Sequence, residues 1–446
     1  MSDPSPPATE RREVGNPTLS RRGLFAGGLA GAAALYGLTA GGAAARSLSP
    51  ALRGALAAGT VSFGSNGSDP VPKKAYANVF KAFTKKTGID VKVNTVDHNT
   101  FQEQINTYLQ GQPQDVFTWF AGYRMQFFAS KGLLSPLDDV WAPLKSQFAS
   151  AYQNASKGAD GHYYFVPIYA YPWAVHYRKS VWKQHGYTVP KTWDQFVALA
   201  KKMQADGLTP IAFTDKDGWP AMGTFDIINM RMNGYDFHVR LMAGKARWDS
   251  PQVKRVFNTW REILPYTSDG ALGLTWQEGA QQLANKEAGM YMLGTFVGQQ
   301  FTKPADHNDL EFFAYPAVDP KWGQDSIDAP IDGFCMARKG SNSKEAKALL
   351  SYLGSAAAEN IYLASDPNDV GANRNANKSR YTPLQKKSAL LIAKTKHIAQ
   401  YLDRDTRPDF ASTVMIPALQ QFLNKPDDVN GLVSSIQKQK VAIFGS

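Results

Sequence analysis

Residues 89–120, IDVKVNTVDHNTFQEQINTYLQGQPQDVFTWF, contain the clearest signal for the fold class of this chain. This stretch opens with apolar residues at every second position, Ile89, Val91 and Val93, which predicts a strand. Apolar residues then recur at helical spacing until Gly111, and DVFTWF follows as a short apolar strand. Strand, helix and strand in this order form the unit of a parallel sheet with helices on its faces, so an α/β fold is predicted.

The same alternation of helix and strand signals continues on both sides of this stretch. Upstream, KKAYANVFKAFTKKTG has one apolar helical face and a glycine stop. Downstream, PKTWDQFVALAKKMQADGLTPIAF predicts a helix capped by Thr192 and followed by a strand. A chain of 446 residues exceeds one compact core of ordinary size, so two lobes are expected.

Residues 1–45 are interpreted as an export signal. Arg21 and Arg22 precede a weakly hydrophobic Gly/Ala stretch, and Ala43 to Ala45 form a small-residue cleavage site. The SRRGLF segment resembles a twin-arginine signal, and the alternative is a spacer helix or an uncleaved anchor. The mature protein is therefore expected outside the cytoplasm, in the cell envelope, in a periplasmic space or secreted.

The single cysteine and the net charge limit which covalent links and which binding partners this protein can have. Cys335 is the single cysteine, so no intramolecular disulfide can form and no cysteine near the cleavage site can carry a lipid. The net charge is +11, and residues 371–402 hold seven Lys or Arg and no acid. This segment is either a solvated face or a weak contact to an anionic cell envelope. Elsewhere basic residues alternate with acids, as in YLDRDTRPDF, and no nucleic-acid-binding motif is present, so no nucleic-acid partner is expected.

The motifs of the common catalytic sites are missing from this sequence. It contains no GxSxG, HExxH, GxxxxGK[ST], paired CxxC or strand-linked GxGxxG. A glycosidase needs only two carboxylates across a cleft, which sequence spacing does not exclude. We nevertheless expect a protein that is not an enzyme and uses no cofactor or metal.

Eight segments in a fixed order carry a family resemblance. They are F.KKTGIDVKV, QDVFTWFAG, KGLLSPL, YYFVPIYAYPWAVHYRKSVWKQHG, PKTWDQFVALAKKMQADGLTPIAF, ANKEAGMYMLGTF, FFAYPAV and SNSKEAKALLSYLGS. Together they resemble the family 1 extracellular solute-binding proteins of ATP-binding-cassette importers, the group that includes the maltose-binding protein. One position departs from many relatives, because Phe296 stands where they have a tryptophan two residues after the glycine Gly294.

The resemblance implies a two-lobed periplasmic-binding-protein-like α/β fold of the class II type. Hinge crossings would join the lobes near residues 169–173, 328–332 and 372–377, with the ligand cleft between the lobes. The implied boundaries are 59–170 and 328–375 for the first lobe, and 171–327 and 376–446 for the second, whose last part is helical.

Aromatic residues outside the regular apolar stripes are the candidates for contact with a solute. A sugar offers weakly polar ring faces and a polar rim, so its site needs flat aromatic platforms beside hydrogen-bonding groups. Trp119 ends the strand of the opening stretch and occupies the position where, by the resemblance, the family stacks its ligand. The other candidates, each with core or hinge packing as its alternative, are Tyr171, Trp173, Trp219, Trp276, and Phe296 after the turn at Gly294.

Polar candidates come from the loops that follow the strands and crossings. SNGSDP places Asn66 and Asp69 after the first strand, and His98 follows the second. Asp332 and Arg374 lie near the later crossings. Each can instead be a turn or capping residue, and His98 lacks the spaced partners of a metal ligand.

The predicted function is capture of a sugar and delivery to the permease subunits of an ATP-binding-cassette transporter by a monomeric protein. The sequence leaves a polyol or a glycerophosphodiester open as the solute. It also leaves a carbohydrate-active enzyme or an envelope-binding protein as alternatives.

Overall fold

The computed structural model describes residues 59–445. The predicted export signal, residues 1–45, lies outside this range. Between residues 59 and 445, no helix is both long enough and apolar enough to pass through a lipid bilayer.

The first lobe is built on a six-stranded sheet. Its strands are β1 Thr60–Ser65, β2 Asp90–Thr95, β3 Val116–Phe120, β4 Val166–Ala170, β10 Ile331–Met336 and β11 Val370–Gly371. They lie in the order β11-β4-β10-β3-β1-β2. β1 pairs in parallel with β2 and β3, whereas β10 runs antiparallel to β3 and β4. The opening stretch folds as predicted, since its two strands lie parallel on either side of β1 and its helix connects them.

Helices cover this sheet with the apolar faces that their sequences predict. Helix Pro70–Thr87 buries Tyr76, Val79, Phe80 and Phe83, and it ends at Gly88 in the left-handed conformation. The other helices of the first lobe are His98–Gln110, Tyr123–Ser130, Asp138–Leu144, Ser150–Ala155, Ser343–Leu353 and Ala356–Ser365.

The second lobe is built on a four-stranded sheet with the order β6-β7-β5-β8. Its strands are β5 Trp173–Arg178, β6 Thr209–Ala212, β7 Ala288–Gly294 and β8 Leu310–Phe313. The first helices around it are Lys179–His185, Trp193–Ala205, Pro220–Asn233, Tyr235–Met242, Pro251–Arg261, Trp276–Ala284 and Pro304–Asp309. Later helices are Pro383–Lys394, Leu402–Asp405, Pro408–Phe410, Ile416–Asn424 and Val429–Phe444.

The chain passes between the sheets at short connections. β4 of the first sheet is separated from β5 of the second by residues 171 and 172 only. β9 Ser326–Asp328 precedes the return to the first sheet at β10, and it pairs in parallel with β12 His397–Ala399 from later in the chain. These connections fit the hinge crossings implied by the resemblance, while the exact lobe boundaries stay a prediction.

The structure places Trp119 in the core of the first lobe. β3 is an interior strand, and all five of its residues are buried. The ring of Trp119 is 1% exposed and lies 5.0 Å from the ring of Phe120 and 5.7 Å from that of Phe128, centroid to centroid. The structure therefore places Trp119 in the packed core and not in the wall of the cleft, where the resemblance put it, because the packing on this side of β3 covers the strand end.

Replacing Trp119 by Ala should lower the free energy of unfolding by about 3–5 kcal/mol, since the change leaves a large cavity in a packed core. Denaturant unfolding followed by circular dichroism measures the loss. Tyr123→Ala is the matched control, because Tyr123 lies on the next helix and is 40% exposed, and its cost should stay within about 0.5 kcal/mol. Equal losses in the two variants would contradict the core assignment.

Candidate functional site

A cleft between the two lobes encloses about 860 Å³, part of it open to solvent. Loops at the ends of β1, β2 and β3 contribute from the first lobe, and the ends of β6 and β7 contribute from the second. Its lining combines aromatic rings with polar side chains. The lining residues include Asn66, Asp69, Tyr76, His98, Gln102, Phe120, Tyr169, Tyr171, Trp173, Trp219, Trp276, Phe296, Gln299, Asp332, Asp369, Tyr401, Asp403 and Arg404.

Phe296 is the centre of the aromatic wall. Its ring stands almost perpendicular to the rings of Tyr171 and Trp276, at centroid distances of 5.3 and 5.1 Å. Trp219 adds a third ring at 6.0 Å. Such a cluster offers apolar ring surface at a cavity wall, which suits the flat face of a ring-shaped solute.

Gly294 shapes this wall without lining the cleft. It is the last residue of β7, and a Cβ there would lie 2.4 Å from the ring of Phe296 and 2.9 Å from that of Tyr171. Any side chain would therefore displace the two rings. The predicted importance of Gly294 has a steric basis here, and direct ligand contact by this residue is not evident.

Arg404 is the centre of the polar part of the cleft. Its Nη1 donates to Asp332 at 2.7 Å and its Nη2 donates to the hydroxyl of Tyr171 at 3.0 Å. The guanidinium also lies 4.0 Å from the ring centroid of Phe120, a cation–π distance. Asp332 further accepts a hydrogen bond from the hydroxyl of Tyr169 at 3.3 Å. The charge of Arg404 is thus fixed in direction and neutralised within the cleft wall.

A second ion pair continues this network. Asp403 accepts from Nη1 of Arg124 at 2.9 Å, and the same nitrogen donates to Gln102 at 2.6 Å. Arg124 lies on helix Tyr123–Ser130 of the first lobe, so these contacts anchor helix Leu402–Asp405 to that lobe. Sequence reasoning missed Asp403 and Arg404, because the alternating charges of YLDRDTRPDF are typical of a solvated surface segment.

Burial changes the protonation of several cleft groups. Desolvation, helped by the nearby charge of Arg404, lowers the pKa of His98 to about 4, so its imidazole is neutral at pH 7. Burial and the neighbouring carboxyl of Asp366 raise the pKa of Asp369 well above its usual range. Among the described residues, Oδ1 of Asp369 has no hydrogen-bond partner. A neutral imidazole can donate and accept, and a carboxyl with a raised pKa holds its proton to higher pH than an ordinary one. Both properties suit uncharged hydroxyl groups.

Hydrogen bonds also cross directly between the lobes at the cleft. Gln277 of the second lobe donates to Asp69 of the first at 3.2 Å. The indole nitrogen of Trp219 donates to Oδ1 of Asn99 at 3.3 Å. The structure therefore has its lobes in contact across the cleft, as in a closed conformation.

The cleft brings together seven of the ten residues predicted for the site. These are Asn66, Asp69, His98, Tyr171, Trp219, Phe296 and Asp332, and Trp173 and Trp276 join them. Trp119 lies in the core of the first lobe, and Gly294 lies behind the rings of Phe296 and Tyr171. Arg374 does not belong to the cleft, because its side chain is exposed and its backbone N–H donates to Gln147 of the first lobe at 2.7 Å.

In residues 59–445, no group of three or more His, Cys, Asp or Glu side chains is arranged to hold an ion. His98 has Phe120 as its ring neighbour, at 6.2 Å. The cleft is equipped for hydrogen bonding and ring packing.

Comparison with known proteins yields one family and a set of related receptors. The family described as bacterial extracellular solute-binding protein matches residues 67–360. An uncharacterized ABC transporter extracellular-binding protein of Pyrococcus horikoshii is 26% identical over 82% of this chain and 81% of its own length. A probable sugar-binding periplasmic protein of Rhizobium meliloti is 26% identical over 48% of this chain and 52% of its own.

One solved structure shares a higher sequence identity with this chain than these two relatives do. It belongs to the bacterial solute receptor AcbH, described as having an exclusive substrate preference for β-D-galactopyranose. The two chains are 48% identical and superimpose with a TM-score of 0.85, over 86% of this chain and 99% of that one.

Replacing Arg404 by Gln should destabilise the protein by about 3–5 kcal/mol at pH 7, because Asp332 would be left buried without its charged partner. Burial already raises the pKa of Asp332, while Arg404 opposes that rise, so the variant should raise it further. A raised carboxyl pKa stabilises the fold below the unfolded pKa near 4 and loses that stabilisation as the pH rises. The deficit against the unaltered protein should therefore be smaller at pH 4 than at pH 7.

Thermal unfolding between pH 4 and 8 tests this expectation. Arg374→Gln is the control, because it makes the same substitution at an exposed arginine. It should change the free energy of unfolding by less than about 0.5 kcal/mol. Adding Asp332→Asn to Arg404→Gln should recover part of the loss and flatten its pH dependence. A deficit that does not change with pH would show that the ion pair is not its cause.

Proposed function

Because this chain belongs to the bacterial extracellular solute-binding protein family, we propose that its cleft binds a single pyranose sugar of the galactose type for an ABC importer. The observation that carries the proposal is the pairing, in one cavity, of the ring wall around Phe296 with the polar groups around Arg404. A pyranose has one face rich in C–H groups, which can pack on rings, and a rim of hydroxyls, which need donors and acceptors together.

The galactose assignment is supported by similarity to AcbH. At 48% identity over almost the whole of that receptor, the folded chains are close relatives, and AcbH is described as exclusive for β-D-galactopyranose. The remaining groups of the cleft fit a neutral polyhydroxyl ligand. Arg404 and Asp403 each form an ion pair with another residue of the protein. Neither side chain therefore offers an unpaired charge to an ionic ligand.

The binding cycle follows from contacts between the lobes. Asp69 and Trp219 sit on opposite lobes, and each takes part in a hydrogen bond across the cleft. A sugar that touches both lobes favours the closed state by its differential affinity, as lobe closure does in periplasmic binding proteins generally. The closed form would deliver the sugar to the permease subunits without chemical change.

Export and partners complete the proposal. The twin-arginine-type segment in residues 1–45 would direct the folded protein across the membrane, where it would act as a monomer. The basic stretch in residues 371–402 would add at most weak contact with an anionic envelope, since Lys387 already pairs with Glu311 at 2.8 Å.

Isothermal titration of the full-length protein should give one-to-one binding of D-galactose with a dissociation constant of about 1 μM, or about −8 kcal/mol. D-Glucose, which differs at one hydroxyl, should bind at least about tenfold more weakly, since a buried polar group would lose its partner. The panel should include polyols and glycerophosphodiesters as competing solute classes. If no sugar gives a heat of binding while a polyol or a glycerophosphodiester does, the galactose assignment is overturned. Release of a cleaved product would establish an enzyme.

Replacing Phe296 by Ala should weaken galactose binding by about 1–3 kcal/mol, because the change removes the central ring of the wall. Trp119→Phe is the matched aromatic control, and its affinity should stay within about twofold because Trp119 lies in the core. Tryptophan fluorescence and calorimetry measure both variants. A larger loss of galactose affinity in Trp119→Phe than in Phe296→Ala would indicate that Trp119 belongs to the binding site.

A further inference from the structure

The groove between the lobes continues beyond the cleft into a second chamber. This second chamber is a half-open pocket of about 540 Å³, a volume that includes space open to solvent. It shares Gln102, Trp219 and Asp403 with the cleft, so these side chains stand between the two cavities. The two cavities are neighbours along one groove.

Both lobes contribute to the second chamber. Asn99 and Glu103 come from helix His98–Gln110 of the first lobe. Asp217 comes from the loop after β6, and Ser412 comes from the C-terminal helical part. The second chamber therefore has the same interlobe origin as the cleft. Its lining combines these polar groups with Arg124 and with the apolar side chains of Met222, Pro408, Ala411 and Ile416.

Trp219 and Asn99 meet across this groove. The indole nitrogen of Trp219 donates to Oδ1 of Asn99 at 3.3 Å. Asn99 lines the second chamber and not the cleft. One amide thus links the first lobe to Trp219 of the second lobe at the boundary between the cavities.

The ring of Trp219 is held firmly in place. It lies 6.0 Å from the ring of Phe296 and 6.5 Å from that of Trp173, the latter almost perpendicular. Its carbonyl accepts a hydrogen bond from the hydroxyl of Tyr401. A ring fixed by neighbours on several sides can act as a wall as well as a stacking surface.

We propose that Trp219, bridged to Asn99, is a partition that limits the site to one sugar ring, and that the second chamber is a latent subsite for a second ring. This inference rests on the sugar-binding function proposed above. Selectivity of this kind works by steric exclusion, because a disaccharide must displace the partition and break a hydrogen bond between the lobes. The carboxylates of Glu103 and Asp217 supply acceptors for the hydroxyls of that second ring.

The test compares D-galactose with β-1,4-galactobiose on the full-length protein by isothermal titration. The unaltered protein should bind the disaccharide at least about a hundredfold more weakly than galactose. Trp219→Ala should reduce the ratio of the disaccharide dissociation constant to the galactose dissociation constant by about tenfold or more, because it removes the partition. Asn99→Ala and Trp219→Phe break the bridge and keep a ring, so each should reduce the ratio by a smaller factor.

A second-site change tests the subsite itself. Glu103 lines the second chamber only, so adding Glu103→Gln to Trp219→Ala should take back part of the gain in disaccharide affinity. Circular dichroism and thermal unfolding establish that each variant is folded. If Trp219→Ala does not fold, Asn99→Ala and Trp219→Phe decide the matter.

The outcomes separate the two proposals. Failure of the unaltered protein to bind galactose overturns the proposed function and this inference with it. Normal galactose binding with a ratio that is unchanged in the folded variants overturns the partition alone. Equal affinity of the unaltered protein for both sugars also overturns it.

Discussion

The buried guanidinium of Arg404 is the group on which the cleft depends. Its side chain is 8% exposed, and a charge so far removed from water is stable only when it is paired and hydrogen-bonded. Asp332, the Tyr171 hydroxyl and the face of Phe120 supply those partners. Asp332 lies on β10 of the first sheet, and Tyr171 lies in the crossing to the second. The pairing therefore fixes the polar part of the cleft at the point where the chain changes lobes.

The backbone around Arg404 is shaped to deliver that side chain. Gly122 has a φ of +81°, and a Cβ there would lie 2.8 Å from the carbonyl oxygen of Arg404, so the first lobe approaches closely only because this residue is glycine. Tyr401 has a φ of +141°, a strained value for a residue with a side chain. Asp405 offsets this strain by accepting from the backbone N–H groups of residues 400 and 401, at 2.8 and 3.3 Å. The hydroxyl of Tyr401 meanwhile bonds the second lobe at Gly223 and Trp219, so one short segment contacts both lobes.

Local pattern predicted the fold well, and it predicted the site where loops follow strands. The alternation at residues 89–93 and the helical stripe after it recur in the structure as β2 and helix His98–Gln110. Asn66, Asp69 and His98 follow the parallel strands β1 and β2, whose carboxyl ends meet at the cleft. The same rule failed for Trp119, because a strand buried on both faces sends successive side chains into opposite sides of the core. Phe120, one residue later, lines the cleft instead.

The α/β class, the order of the elements, the family resemblance and the many aromatic and polar residues at chain crossings can all be derived from the amino-acid sequence. They follow from periodicity, turn residues and the order of motifs along the chain. The pairing of Arg404 with Asp332, 72 residues away, and the contact of Trp219 with Asn99, 120 residues away, become visible only in the folded protein. Such contacts depend on how two lobes pack, and the packing of distant segments leaves no periodic signal in the chain.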